Sequence, residues 1–302
     1  MNGVLVVDKP LGITSFDVVA KVRRALREKR VGHAGTLDPE ASGVLVVCLG
    51  EATKLVPYLM DADKEYLATA RLGITTDTDD AAASAKVLSR ASQEQLAAIG
   101  EADVRAALFA QVGRIEQKPP RFSALKVDGV RLYDKARSVQ TESDADALEQ
   151  QVAAKTRTVD IHHIELEAIS LALPDPSVTF HVRCGKGTYI RSIARDLGDV
   201  LGVGAHLTAL RRLRVGRFDL TGAVPLDRLQ DAPLWPLPMA VGHLPSLCVS
   251  PDVALRVKQG HRATVAALPL PVADVAAILD QQQNLIAMVA HGEDGWRVAR
   301  GF

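Results

Sequence analysis

Strand-like and helix-like periodicities follow one another along this 302-residue chain without a regular strand–helix–strand rhythm, and that irregularity is the tightest constraint on its fold. Two stretches alternate apolar and polar residues and read as strands with one packed face. In 64–72 (KEYLATARL) that face carries Tyr66, Ala68, Ala70 and Leu72; in 178–184 (VTFHVRC) it carries Val178, Phe180, Val182 and Cys184. The apolar runs 4–7 (VLVV) and 44–49 (VLVVCL) read as buried strands. Between them, Thr14 to Asp17 is a helix-start signal close to a capping box. Val18, Val19, Val22, Ala25 and Leu26 follow at helical spacing, with Arg23, Arg24 and Arg27 opposite. Residues 93–111 read as helix interrupted near Gly100, a further helix begins near Thr188, and 207–218 read as a strand with basic residues interleaved. The expected fold class is α+β, built on a mixed or antiparallel sheet, rather than a doubly wound parallel sheet.

Prolines 233, 236, 238 and 245, with Pro251 just beyond, mark 231–245 as the expected linker. It would separate a main domain over 1–230 from a small C-terminal domain over 246–302. There, short runs and turns at Gln283-Asn284 and Gly292–Gly295 suggest a β-rich, barrel-like unit. The acidic, alanine-rich stretch 142–155 reads as a mobile loop or a short surface helix. There is no apolar run of about 18 residues to span a membrane, and the N-terminus lacks the basic start of a signal peptide. Cys48, Cys184 and Cys248 lie far apart with no CxxC pair, which argues for reduced thiols in a cytoplasm and against zinc. Asp160, His162 and His163 read as structural or surface residues rather than metal ligands, because adjacent strand residues point to opposite faces.

Formal net charge is zero, yet the charges are unevenly placed. Residues 21–30 carry six basic side chains and one acid, 114–137 seven and three, 183–217 eight and two. Acids concentrate at Asp77, Asp79 and Asp80 and at Glu142, Asp144, Asp146 and Glu149. A neutral sum can thus hide a basic face of the kind that meets nucleic acid.

Two stretches could carry chemistry. Residues 31–43 (VGHAGTLDPEASG) place a histidine and an aspartate in a glycine-rich loop between a basic helix and a buried strand. Locally, Asp38 reads either as a site carboxylate or as a turn-capping one. Residues 185–191 (GKGTYIR) mark a strand-to-helix junction whose free N–H groups suit an anion, without P-loop spacing.

Taken in order, several motifs resemble one family. They are KPLGITS (9–15), GHAGTLDP (32–39), GEATK (50–54), KEY (64–66), RLG (71–73), TDTD (76–79), SALK (123–126), GTYIR (187–191) and LRR (210–212). The chain resembles the TruB-type bacterial tRNA pseudouridine synthases, which modify the T-loop uridine, over roughly residues 3–218. The resemblance implies a pseudouridine synthase catalytic domain with an RNA-clamping insertion near 114–137 and a PUA-like C-terminal domain. It makes Asp38 the nucleophile, Arg191 the arginine paired with it, and Tyr66 the ring against the target base. Leu210 would line the same pocket, and His33 would fill the space left by an extruded base. Tyr189 would help bind substrate, and Lys9, Lys54 and Lys126 are candidates for phosphate contacts. The reaction breaks an N–C glycosidic bond and re-forms a C–C bond to the same base without redox change, so no cofactor is expected. Whether the carboxylate attacks sugar or base stays open. The expected partner is the T-arm of tRNA, met by a cytoplasmic monomer with no obligate protein partner. A relative acting on rRNA or in a guide-RNA complex, a tRNA-folding protein and a metal-dependent nuclease are the competing readings. Two departures stand out: the acidic stretch 138–157 should turn away from RNA, and the C-terminal segment is charge-balanced.

Overall fold

The computed structural model describes residues 1–302 apart from Ala124, Asp128, Gln140, Pro271, Val272 and Asp294; for Lys126, Arg131 and Glu142 it describes the backbone alone. The chain divides into two units. One is built from Met1–Pro39, Gly43–Ala62 and Val215–Phe302, the other from Glu40–Ser42 and Asp63–Arg214.

The first unit begins with β1 (Gly3–Lys9), α1 (Ser15–Leu26), β2 (Val31–His33), β3 (Ala41–Leu49) and, after a 3-10 turn over Gly50–Leu55, α2 (Val56–Met60). β1 and β2 both pair antiparallel with β3, in registers Val6↔Val46 and His33↔Val47. The uninterrupted apolar runs have a simple cause: β1 and β3 are covered on both faces. Val4, Val6, Val44, Val46 and Cys48 enter one core with Leu55 and Leu59, while Leu5, Val7, Leu45 and Val47 pack against Val18, Val19 and Val22 of α1. The capping box at the start of α1 is formed: Thr14 Oγ1 accepts from Asp17 N at 3.0 Å, and Thr14 N donates to Asp17 Oδ2 at 2.8 Å. Arg27, in the left-handed region at φ 52°, ends the helix.

The second unit contains β4 (Lys64–Leu72), β5 (Ile74–Thr76), β6 (Val87–Arg90), α3 (Gln93–Ala97), α4 (Glu101–Phe109), β7 (Gly113–Gln117), β8 (Lys126–Val127), β9 (Val130–Arg131), α5 (Leu132–Arg137), α6 (Glu142–Ala153), β10 (Arg157–Ser170), β11 (Ser177–Cys184), α7 (Ile190–Val200) and β12 (Ala205–Val215). Its strands lie side by side in the order β12-β4-β11-β10-β7. The pairings of β4 with β11, β11 with β10 and β10 with β7 are antiparallel. Both alternating stretches bury the expected faces, with Tyr66 opposite Val182 and Ala68 opposite Phe180. Gly100 breaks the 93–111 helix because it caps α4: its N–H donates to Asp103 Oδ2 at 2.9 Å. The stretch 142–155 is a helix, α6, packed on α5 through Leu132, Leu148 and Val152. α7 buries Ile190, Ile193, Ala194 and Leu197, and at Gly198 it meets the start of β12 so closely that a Cβ would lie 2.1 Å from Ala205 N. That close approach requires glycine.

The chain returns to the first unit with β13 (Phe218–Asp219), α8 (Leu237–Ala240), β14 (Ser246–Cys248), α9 (Pro251–Lys258), α10 (Arg262–Ala266), β15 (Val275–Leu279), β16 (Leu285–Gly292) and β17 (Gly295–Gly301). The proline-rich segment does not hang free: Val4 and Trp235 exchange backbone hydrogen bonds of 2.9 and 2.8 Å, and Ala240 and Val241 are buried. The C-terminal segment is an open four-stranded sheet, β14-β15-β16-β17, where a barrel-like unit was expected. Ala276, Ile278 and Val289 pack on α9 and α10, while Ala277, Leu285 and Met288 join the core of β1 and β3.

Candidate active site

Asp38 stands on the loop between β2 and β3, and that loop is fixed by its neighbours. Leu37 is buried, and a single buried hydroxyl secures both of its peptide groups: Ser15 Oγ accepts from Leu37 N at 2.9 Å and donates to Leu37 O at 3.1 Å. On the other side, Pro39 O accepts from Gly12 N at 2.9 Å and from Lys9 Nζ at 3.4 Å. Lys9 also donates to Pro10 O at 2.9 Å and Ile13 O at 2.8 Å and is fully buried. Ala34, at zero exposure, anchors the start of the loop through its N–H to Val46 O at 2.9 Å. Gly35 follows at φ 98°, a conformation that a side chain would strain. Asp38, half-buried, thus sits between two immobilised residues.

This geometry corrects the expectation for Lys9. Its ammonium lies below the surface and donates to three backbone carbonyls, among them that of Pro39 beside Asp38, where a phosphate contact was expected. Lys54 is engaged as well: it bonds Gly301 O at 2.7 Å and Glu51 Oε2 at 2.5 Å and lies over the Phe302 ring. The Lys126 side chain lies outside the described residues, as does Ala124 of the same motif. His33 is half-buried at the end of β2, edge-on to Phe16 with ring centroids 5.5 Å apart. Phe16 is 62% exposed on the first turn of α1, and sequence reasoning passed over it because it lies off that helix's apolar stripe.

In the second unit, Arg191 opens α7 and is 7% exposed. Its guanidinium donates to Thr78 O and Phe122 O, both at 2.9 Å, and lies 3.6 Å from Asp80 Oδ2. Asp80 is itself held by Thr78 Oγ1 at 2.6 Å and by Ala82 N at 3.1 Å. One turn along α7, Arg195 reaches Asp79 Oδ2 at 3.2 Å, and its Nε donates to Asp196 Oδ1 at 2.9 Å. Burial pushes the Asp79 and Asp196 carboxyls above the usual range, against the pull of Arg195. Sequence reasoning found Arg191 but not Asp80, Thr78 or Phe122. The acidic run at 77–80 was the signal, although nothing in it says which carboxylate turns inward.

Tyr66 is buried on β4, and Leu210 is half-buried on β12. Next to Leu210, Arg211 Nη1 donates to Ser42 Oγ at 3.3 Å. Tyr189, the residue before α7, is fixed by the Gln117 amide, which accepts from Tyr189 N at 2.8 Å and donates to Tyr189 O at 3.1 Å; the Arg157 guanidinium lies 5.0 Å from its ring centroid. The structure thus joins Lys9 to the Asp38 loop, and Tyr189 to Arg191 at the head of one helix. Among the described residues no three His, Cys, Asp or Glu side chains group as metal ligands. His162 lies 3.2 Å from Asp63 and His163 3.6 Å from Glu165. No helix among the described residues is long and apolar enough to cross a membrane.

Comparison with known proteins gives the class first. Two family models of pseudouridylate synthases match the chain in succession: "TruB family pseudouridylate synthase (N terminal domain)" over residues 23–190 and "tRNA pseudouridylate synthase B C-terminal domain" over 191–236. Proteins named tRNA pseudouridine synthase B from Cutibacterium acnes (42% identity, 95% of this chain and 92% of the relative) and Burkholderia mallei (44% identity, 89% and 84%) are similar along most of their length. Among solved structures, the chain resembles one from a Cbf5–Nop10–Gar1 complex, at 27% identity and TM-score 0.74, over 99% of this chain and 84% of that one. It also resembles one from an H/ACA RNP bound to a substrate RNA containing 2'-deoxyuridine, at 26% identity and TM-score 0.70, over 99% and 84%. The chain belongs to the TruB family of pseudouridylate synthases.

Proposed function

We propose that this protein converts a T-loop uridine of tRNA to pseudouridine, with Asp38 as the attacking carboxylate. One observation carries the reading: family models span 23–236 without a break, and Asp38, inside that span, has both neighbours pinned by the buried Ser15 and Lys9 side chains. Catalysis by a positioned group gains from such immobility, because a misplacement of about 1 Å can cost roughly 100-fold in rate. In the proposed reaction the N1–C1' bond breaks, a C5–C1' bond forms, the C5 proton leaves and N1 gains one. Asp38 attacks sugar or base and stabilises charge developing at the anomeric carbon. Tyr66 lies against the base and is the candidate for moving the C5 proton, Arg191 is the arginine paired with the catalytic carboxylate, and Leu210 and Tyr189 line the substrate site. His33, supported by the Phe16 edge, takes the place of the extruded base.

The same proposal assigns catalysis to 1–230 and keeps 246–302 as a C-terminal PUA-like domain joined through 231–245. The separate core around Val257, Ile278 and Val289 supports the latter assignment. Action on tRNA by a lone monomer is favoured over a guide-RNA assembly because the tRNA enzymes are the closer in sequence, at 42–44% identity against 26–27% for the assembly proteins. The deciding assay is tritium release from C5-labelled uridine in an unmodified tRNA transcript, with wild type and Asp38→Asn side by side. Release by the wild type alone is expected; turnover by Asp38→Asn would remove Asp38 from the chemistry.

A further inference from the structure

Arg191 and Arg195 stand one turn apart on α7 and reach consecutive residues of one loop, Asp80 and Asp79. The loop turns sharply between them. Asp79 occupies the left-handed region at φ 58°, unusual for a residue with a side chain. That turn sends the Thr78 carbonyl and the Asp80 carboxylate to Arg191 and the Asp79 carboxylate to Arg195. The backbone of Asp79 is held as well, since its carbonyl accepts from Leu207 N at 3.0 Å and Ala81 N returns a bond of 2.9 Å to Leu207 O. Arg195 has a third grip, donating from Nη2 to Lys118 O at 3.0 Å, and Ser192 Oγ donates to the same oxygen at 2.9 Å. The chain from Lys118 continues to Phe122, whose carbonyl is the second acceptor of Arg191. Both carbonyls that orient Arg191 therefore belong to segments that Arg195 ties to α7.

We propose that Asp79 and Arg195 are a positioning pair for Arg191: their contact sets the turn that presents Thr78 O and Asp80 to the Arg191 guanidinium. The inference rests on the reading above in which Arg191 serves the isomerisation. In this proposal the pair acts through Arg191 and not on the reacting atoms.

The energetics separate this role from plain stabilisation. Burial raises the Asp79 carboxyl above its ordinary range despite Arg195 and Arg191, with Asp196 adding to the rise. A carboxyl raised in the folded state contributes stability that is complete below its unfolded pKa and lost as pH rises through the folded one. The desolvation that raises it offsets the attraction of Arg195, as is common for buried ion pairs. Arg195 without Asp79 would still have Asp196 as a counter-charge.

The experiment uses the full chain and an unmodified tRNA transcript labelled at C5, in single-turnover tritium release at saturating enzyme. Wild type, Asp79→Asn, Asp79→Gly and Arg191→Lys are compared, each with its tRNA Kd and its melting temperature at neutral pH. Asp79→Asn removes the charge, and Asp79→Gly also accepts the left-handed turn without strain. Both Asp79 variants are expected to lose about 10- to 100-fold in rate while Kd and melting temperature stay at or above the wild-type values, and Arg191→Lys should lose at least as much. Wild-type turnover by either Asp79 variant overturns the proposal. So does a rate loss seen only together with a lowered melting temperature, or one that Arg191→Lys does not share. No release by the wild type overturns the functional reading, and this proposal with it.

Discussion

The loop around Asp38 and the loop over 76–82 are held by different contacts. The residues flanking Asp38 are fixed through backbone-directed contacts: one hydroxyl on Leu37, one N–H and one ammonium on Pro39. The loop over 76–82 is fixed by charge, with two arginines of α7 set against two consecutive carboxylates. The difference follows from what each loop must offer. Contacts on Leu37 and Pro39 fix the backbone on either side of Asp38. A loop that orients a guanidinium can use carboxylates and carbonyls directly, since they are the acceptors a guanidinium requires.

The sharpest way to break this comparison is at Asp38. Asp38→Asn should lower single-turnover release by about 10³-fold or more if the group acts covalently, with tRNA affinity unchanged in a filter-binding assay. A smaller loss would mean that the loop positions something other than the reacting group. Next comes Lys9→Met, which strips a donor from three part-buried carbonyls and should destabilise the fold by about 2–4 kcal/mol in urea unfolding. The slope of log Kd against log salt should stay at its wild-type value, whereas loss of a real phosphate contact would lower it by about one. Ser15→Ala leaves Leu37 N and O without their partner and should cost about 1–3 kcal/mol and roughly tenfold in rate; full activity would show that the neighbours of Asp38 need no pinning. The smallest effect concerns the thiols. Burial pushes Cys48 up to about 12 and Cys184 up to about 11, while Cys248 is exposed. Native protein at neutral pH should take up alkylating label at Cys248 alone, with Cys48 and Cys184 joining after denaturation, as mass spectrometry of peptides will report.

Much of the architecture was legible because its causes are local. The alternation in 64–72 and 178–184 named the buried faces of β4 and β11, and the Thr14/Asp17 spacing named the cap of α1. Elsewhere local signals pointed the wrong way. Pro251 counted as part of a linker signal, yet it occupies the first turn of α9, where its missing N–H has no acceptor to lose. The other prolines suggested a linker; Val4 and Trp235 pair there through their backbones, and nothing near position 235 can announce a partner 231 positions away in the chain. Lys9 looked like any lysine beside a glycine turn; three carbonyls converging from 10, 13 and 39 turn it into a buried clamp.

The sequence by itself determined the secondary elements whose periodicity is local and the family, and it nominated Asp38, Tyr66 and Arg191 as candidate groups, because composition and ordered motifs carry that information along the chain. Tertiary structure alone decided what each charge is for. Lys9 and Arg191 are both single cations beside turns in the sequence. Only the folding of distant segments around them makes one a brace for a carboxylate's loop and the other the centre of a buried ionic cluster, since a charge acquires its role from the acceptors that desolvation forces it to share.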